Sequence, residues 1–118
     1  MGESFHKDLK SSMDCYVHGV YKASKNFPRE EIYGVISQLR RSSLSVILNY
    51  IEGFARIGEK SYLNFIKISY GSLKESRYLL SFSLEEGYLS ESDFAFLDKK
   101  ADEIGAMLWG IIKDEKRK

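Results

Sequence analysis

The stretch from residue 27 to residue 56 decides the fold, and it reads FPREEIYGVISQLRRSSLSVILNYIEGFAR. Its apolar and small residues recur at alternating spacings of four and three, which is the pattern of a helix packed in a bundle. Pro28 suits the first turn of a helix, and the two acidic residues after Arg29 favour the positive end of the helix dipole. We therefore predict a helix over residues 29–57. Its seam is Ile32, Ile36, Leu39, Ser43, Val46, Tyr50, Gly53 and Ile57.

Three further stretches show a helical period. Residues 4–26 carry one apolar stripe, residues 60–86 carry a stripe rich in serine, and residues 91–114 carry the most regular seam. Short loops between long helices force neighbours to run antiparallel. The sequence predicts an all-α fold, a single domain over residues 1–118 that forms an antiparallel up-down-up-down four-helix bundle.

The composition fits one globular domain. The 118 residues are 43% hydrophobic and 30% charged, which is too apolar for a disordered chain. The formal net charge of +1 gives no strong electrostatic attraction to nucleic acid or to a membrane surface. One cysteine, Cys15, excludes an internal disulfide. We expect a cytoplasmic protein with no membrane partner, since the start of the chain lacks a secretory signal and no run of about 18 apolar residues occurs.

A second, polar stripe lies beside the apolar seam of the second helix. Its members, again four and three apart, are Gln38, Ser42, Ser45, Asn49, Glu52 and Arg56. A solvated face usually carries lysine and glutamate, whereas amides and hydroxyls suit hydrogen-bonded contacts. We therefore predict a contact surface whose partner is a neighbouring helix or a neighbouring subunit, with a solvated face as the alternative. The predicted oligomer-interface residues of this stripe are Gln38, Ser45, Asn49, Glu52 and Arg56.

Trp109 falls off the seam of the fourth helix, beside Gly105 and Ile112. This position predicts a second apolar surface, and it adds Trp109 to the predicted oligomer interface. The alternative is a tryptophan that lies flat over the edge of the bundle.

Basic side chains follow the edges of the second and third helices. Lys60, Lys67 and Lys74 are seven residues apart and line one edge of the third helix, with Tyr70 and Tyr78 among them. Such stripes in an oligomer could hold a nucleic-acid backbone, and a solvated face is the alternative. The predicted nucleic-acid contacts are Arg40, Arg41, Lys60, Lys67, Lys74 and Arg77.

We expect no metal, no cofactor and no enzyme activity. A di-iron bundle needs two Glu-x-x-His pairs, and the chain has one, from Glu3 to His6. Cys15 and His18 share a helical face, but a zinc site takes four ligands. The chain has two histidines and no nucleophile–base pattern.

A set of residues at fixed spacing runs from the second helix into the third. Its elements are Phe27-Pro28, Glu31, Tyr33-Gly34, Gln38-Leu39-Arg40-Arg41, Ser45-Val46, Asn49, Glu52-Gly53, Arg56, Gly71-Ser72-Leu73, Glu75 and Gly87-Tyr88. In this set the chain resembles a bacterial four-helix-bundle family. The family includes the proteins encoded by intervening sequences of 23S ribosomal RNA genes and the accessory proteins of diversity-generating retroelements. The chain departs from the family pattern at Tyr50 and Ile51, which are bulky and could change helix packing or the angle between subunits.

The resemblance implies a homo-oligomer without enzymatic activity, and described members form a pentamer. Retroelement accessory members bind nucleic acid and a reverse transcriptase. The implied partners are therefore other copies of the chain and RNA or DNA, with a reverse transcriptase added where the gene lies in a retroelement.

Together these features predict a non-enzymatic bundle that associates with itself and serves as a binding scaffold. Its basic helix faces would carry any contact with RNA or DNA. The alternative is a protein-interaction or structural module without affinity for nucleic acid, which the balanced charge favours.

Overall fold

The structure, a computed structural model, describes residues 2–117. Four α-helices make up most of this range, and none of these residues lies in a strand. The helices are α1 (Glu3–Ser24), α2 (Val35–Phe54), α3 (Tyr62–Glu85) and α4 (Glu91–Arg117), with a short 3₁₀ helix at Arg29–Glu31. The prediction of an all-α protein with four helices is confirmed.

The second helix begins at Val35 and not at residue 29. The 3₁₀ turn follows Pro28, and Gly34 then leaves the helical region with φ −113° and ψ −116°. The Glu31 carboxylate accepts the Val35 backbone N–H at 3.3 Å and the Tyr88 hydroxyl at 3.0 Å. Glu31 therefore caps α2 from the preceding turn, because an acidic side chain satisfies one of the free N–H groups at a helix start.

Two residues of the predicted seam consequently lie outside α2. Ile32 precedes the helix and is 54% exposed, and Ile57 follows its last residue and is 55% exposed. The turns after α2 and α3 contain Gly58 at φ +94° and Gly87 at φ +79°, a backbone region that suits glycine. Ser90 caps the start of α4, since its Oγ accepts the Asp93 N–H at 3.1 Å.

The core is built from the predicted apolar stripes. On α2 the buried members are Ile36, Leu39, Val46 and Tyr50. On α1 and α4 the fully or almost fully buried side chains are Leu9, Met13, Tyr16, Val20, Leu97, Ala101, Ile104, Leu108 and Ile111.

Serine supplies the polar part of the core. The buried polar residues within 2–117 are Ser24, Ser42, Ser43, Ser69, Ser76 and Ser83. Each of these hydroxyls donates to a main-chain carbonyl, so each buried donor has an acceptor. Ser69 reaches from α3 to the Val46 carbonyl of α2 at 2.6 Å. This bond requires a close approach of the two helices.

A buried hydroxyl pair joins α1 to α3. Ser76 Oγ donates to the Leu73 carbonyl at 2.9 Å, so the Tyr16 hydroxyl is the donor in the 2.7 Å bond between Tyr16 and Ser76. Burial raises the pKa of Tyr16 to about 12, which keeps this donor protonated at neutral pH.

The helices contact one another around a ring. The contacts join α1 to α2, α2 to α3, α3 to α4 and α4 to α1, and within residues 2–117 no contact joins α2 to α4. The contacts of α2 with α3 place Ser45 against Ser72 and Gly53 against Ile66. Later residues of α2 thus meet earlier residues of α3, which is the arrangement of two helices that run in opposite directions.

Candidate functional site

The outer face of α2, defined as Leu44, Leu48 and Ile51, presents apolar side chains to solvent. These residues are 36%, 55% and 43% exposed, and their spacing of four and three places them on one side of the helix. Eleven large apolar side chains are exposed within residues 2–117, and seven of them lie between residues 32 and 57. The segment around α2 therefore carries most of the exposed apolar surface.

The predicted polar stripe of α2 lies along the boundary with α3. Ser45 Oγ and Ser72 Oγ are 2.8 Å apart and share a hydrogen bond. Asn49 Nδ2 donates at 2.9 Å to both the main-chain oxygen and the hydroxyl of Ser45. The structure thus gives Ser45 a neighbouring helix as its partner, and a contact of these residues with a second subunit stays a prediction.

The two ends of the polar stripe differ. Arg56 Nε donates to Glu52 Oε1 at 3.0 Å, and the guanidinium lies 5.3 Å from the centre of the Phe65 ring on α3. Both partners of this ion pair remain substantially exposed. Gln38 is exposed at the opposite end, where it lines a cleft with Tyr78 of α3.

Trp109 lies in a groove between α3 and α4, on the side of α3 away from the polar stripe. Its ring centre is 5.9 Å from that of Tyr70, and the indole is 44% exposed. Tyr70, Lys74 and Arg77 line the groove from α3. The predicted oligomer residues therefore lie on two separate surfaces, and a contact of Trp109 with a second subunit stays a prediction.

The predicted basic edge of α3 is present. Lys67 and Lys74 are exposed on α3, and Lys60 is exposed in the turn before it. Lys74 Nζ lies 5.2 Å from the centre of the Tyr70 ring. Arg77 pairs with Asp98 at 3.0 Å and Asp102 at 3.5 Å, so its charge also links α3 to α4.

The two predicted arginines of α2 point in different directions. Arg40 donates to Ser24 Oγ at 2.8 Å and to the Tyr21 carbonyl at 3.3 Å, and its guanidinium lies 4.7 Å from the Tyr21 ring centre. These contacts engage Arg40 with the last turn of α1. Arg41 is exposed and continues the line of the outer face of α2.

A cavity of about 310 Å³ lies between the start of α1 and the end of α2. The Tyr50 hydroxyl and His6 Nδ1 share a hydrogen bond, and the His6 ring centre lies 4.6 Å from that of Phe54. Burial lowers the pKa of His6 and raises the pKa of Tyr50, so His6 is neutral and Tyr50 protonated at pH 7. Sequence reasoning considered His6 only as a metal ligand and missed this contact, because it joins residues 44 positions apart.

The structure also bears on the metal and membrane predictions. Within residues 2–117, no group of three or more histidine, cysteine or acidic residues is placed to hold a metal ion. Cys15 and His18 are both exposed on α1. None of the helices in this range combines the length and the apolar character needed to cross a membrane.

The chain matches known proteins along most of its length. The model of a family described as 23S rRNA-intervening sequence protein matches residues 9–110. A crystal structure from Bacteroides thetaiotaomicron, of a protein with unknown function from the S23 ribosomal protein family, is similar over 92% of this chain and 98% of its own. Its TM-score is 0.84 at 19% sequence identity, so the likeness shows the fold alone. None of the curated proteins is similar enough to the chain to count as a match.

Proposed function

The chain belongs to the family of 23S rRNA-intervening sequence proteins, and on that premise we propose that it is a non-enzymatic, self-associating four-helix bundle that serves as a binding scaffold. The family predicted from the sequence is thereby confirmed. The proposal includes an up-down-up-down order of the helices, which the opposite directions of α2 and α3 support. It also includes a pentameric assembly, from the family resemblance, and a cytoplasmic location, which the single Cys15 favours.

The outer face of α2 is the observation that carries self-association. Leu44, Leu48 and Ile51 form an apolar row on a helix whose opposite side already fills the core. A monomer gains nothing from such a row, whereas a second copy that covers it removes apolar surface from water, at about 25 cal/mol per Å². The exposed Glu52–Arg56 pair and Gln38 lie near this row and would form the polar rim of the contact.

The test of self-association compares two charge substitutions. Leu48→Glu places a carboxylate in the proposed contact, and Phe96→Glu places one at a similarly exposed position on α4, which does not contact α2 within residues 2–117. We expect light scattering to give a multiple of 13.6 kDa for the wild type and for Phe96→Glu, and a single 13.6 kDa particle for Leu48→Glu. Helical circular dichroism should be the same in all three. A wild type that stays monomeric at high concentration would refute the proposal.

Contact with RNA or DNA is the second part of the proposal. Lys67 and Lys74 are exposed two helical turns apart along one edge of α3, and Lys60 is exposed in the turn before that helix. Lysines placed this way neutralise phosphates, with an affinity that falls as salt is raised. Where the gene lies in a retroelement, the proposed further partner is the reverse transcriptase.

A gel shift at low salt tests this second part. We expect the wild type to retard a nucleic-acid probe and the double variant Lys67→Glu, Lys74→Glu to lose that shift while it keeps the mass of the wild type. The absence of any shift at micromolar protein would instead support the alternative, a protein-interaction module without affinity for nucleic acid.

A further inference from the structure

The groove between α3 and α4 combines aromatic and basic side chains in a way that neither helix shows alone. It has a volume of about 190 Å³ and runs between Tyr70 and Lys74 of α3 and Trp109 of α4. Gly105 and Ala106 form part of its wall on α4. Because these two residues carry almost no side chain, the space beside the Trp109 ring stays open.

The two rings form a platform across the groove. Tyr70 and Trp109 have their centres 5.9 Å apart and their planes 34° from parallel. Trp109 is 44% exposed. A large part of its apolar ring is therefore in contact with water, which is unfavourable unless a ligand covers it. An exposed indole beside a second ring is the kind of surface on which a planar nucleobase stacks.

Lysines flank the platform on both sides. Lys74 Nζ lies 5.2 Å from the centre of the Tyr70 ring, and Lys116 Nζ lies 6.0 Å from that of Trp109. The four side chains therefore follow the order Lys74, Tyr70, Trp109 and Lys116 from α3 to α4, with the two rings between the two cations. The acidic residue that lines the groove, Asp102, pairs with Arg77, which also pairs with Asp98.

We propose that this groove binds single-stranded RNA or DNA by stacking an unpaired base on Trp109 and Tyr70, with the neighbouring phosphates held by Lys74 and Lys116. The inference rests on the proposed contact with nucleic acid and names the form that is bound. A duplex does not fit this role, because its bases stack on one another and show only their edges in the grooves.

Fluorescence provides a direct test, because Trp109 is the single tryptophan of the 118 residues. The probes are twelve-nucleotide oligo(dT), twelve-nucleotide oligo(U) and a duplex of the same length, each titrated at low salt. We expect either single strand to quench the emission of Trp109. Labelled strands followed by anisotropy then give the affinity, and the two single-stranded arms distinguish DNA from RNA.

Substitutions separate stacking from general electrostatic binding. Trp109→Ala should weaken binding of the single strand about tenfold, and Trp109→Phe should restore most of it, because a stacking surface remains. Phe96→Ala is the matched control, since it removes a similarly exposed ring from the same helix, and its affinity should equal that of the wild type.

The outcomes distinguish this inference from the proposed function. If Trp109→Ala binds single strands as well as the wild type does, and the strands leave the emission of the wild type unchanged, the stacking site is refuted. The proposed contact with nucleic acid then still stands. Equal affinity for the duplex refutes the preference for single strands. If no probe binds at low salt, both the inference and the nucleic-acid part of the proposed function are wrong.

Discussion

Gly53 of α2 packs closely against α3, and replacing it with alanine tests the packing of the two helices. A Cβ atom at this position would lie 3.0 Å from Ile66 Cδ1, 3.1 Å from Phe65 Cβ and 3.4 Å from the Tyr62 carbonyl oxygen. The end of the Ile66 side chain can rotate away. Phe65 Cβ and the carbonyl move only with the backbone of α3, so Gly53→Ala must push the helices apart.

The expected magnitude follows from two opposing effects. Alanine is favoured over glycine in a helix by about 1 kcal/mol. Forcing an extra methyl group into a closely packed contact costs roughly 1–3 kcal/mol. We therefore expect Gly53→Ala to lower the free energy of unfolding by about 1 kcal/mol. Gly71→Ala is the control, because Gly71 is exposed within α3 and its Cβ would have no atom within 4 Å. The free energy of unfolding of Gly71→Ala should rise by about 1 kcal/mol, because alanine is favoured in a helix and the added methyl group meets no neighbouring atom.

Thermal and urea unfolding followed by far-ultraviolet circular dichroism measure the difference. Both variants are compared at one fixed protein concentration, since self-association would make stability depend on it. A difference of about 2 kcal/mol corresponds to roughly 8 °C in Tm for a domain of this size. If Gly53→Ala is stabilised as much as Gly71→Ala, the two helices do not constrain each other at this point and the reasoning fails.

Two further predictions concern buried polar groups. Ser76→Ala should lower the free energy of unfolding by about 2 kcal/mol, because it leaves the buried Tyr16 hydroxyl without an acceptor. Tyr16→Phe should lower it by only about 1 kcal/mol, because the Ser76 hydroxyl still donates to the Leu73 carbonyl. If urea unfolding gives the reverse order, Tyr16 is not the donor. Burial lowers the pKa of His6 in the folded protein. Between this lowered pKa and the ordinary pKa, the unfolded chain binds more protons than the folded protein does. The stability conferred by neutral His6 is therefore lost as the pH falls. His6→Gln should therefore flatten the pH dependence of unfolding from pH 7 to 5. Identical profiles for wild type and His6→Gln would refute this linkage.

The helices and their buried sides could be predicted because local spacing determines them. The apolar residues of α4 recur four and three apart, and of these Phe94 is half-buried whereas Leu97, Ala101, Ile104, Leu108 and Ile111 are buried. The start of α2 could not be predicted from Pro28 and its acidic neighbours, because a bond from Tyr88, far along the chain, helps to hold Glu31 in place as the cap of Val35. Contacts of this kind depend on tertiary structure, which sequence spacing does not contain.

The candidate surfaces were predicted in composition but not in arrangement. The spacing of the polar stripe placed Ser45 and Asn49 on one side of α2, yet it left open whether a helix or a subunit lies opposite, and the structure shows Ser72 of α3 there for Ser45. Trp109 and Tyr70 were both noted, in separate roles. Only the register of α4 on α3 brings their rings to 5.9 Å, and no local pattern sets that register.

The serine-rich contact between α2 and α3 links the two proposals. Ser69 and Gly53 let these helices lie close together on one side of α2, while Leu48 on the other side of α2 is 55% exposed. The groove at Trp109 lies on the far side of α3, next to α4, which has no contact with α2 in the part of the chain that is described. The proposed association through the outer face of α2 would therefore leave the groove open on each copy. An assembly would then present several grooves to one strand, and linked sites bind far more tightly than each site alone. On the two proposals together, assembly would supply the affinity that a net charge of only +1 does not provide.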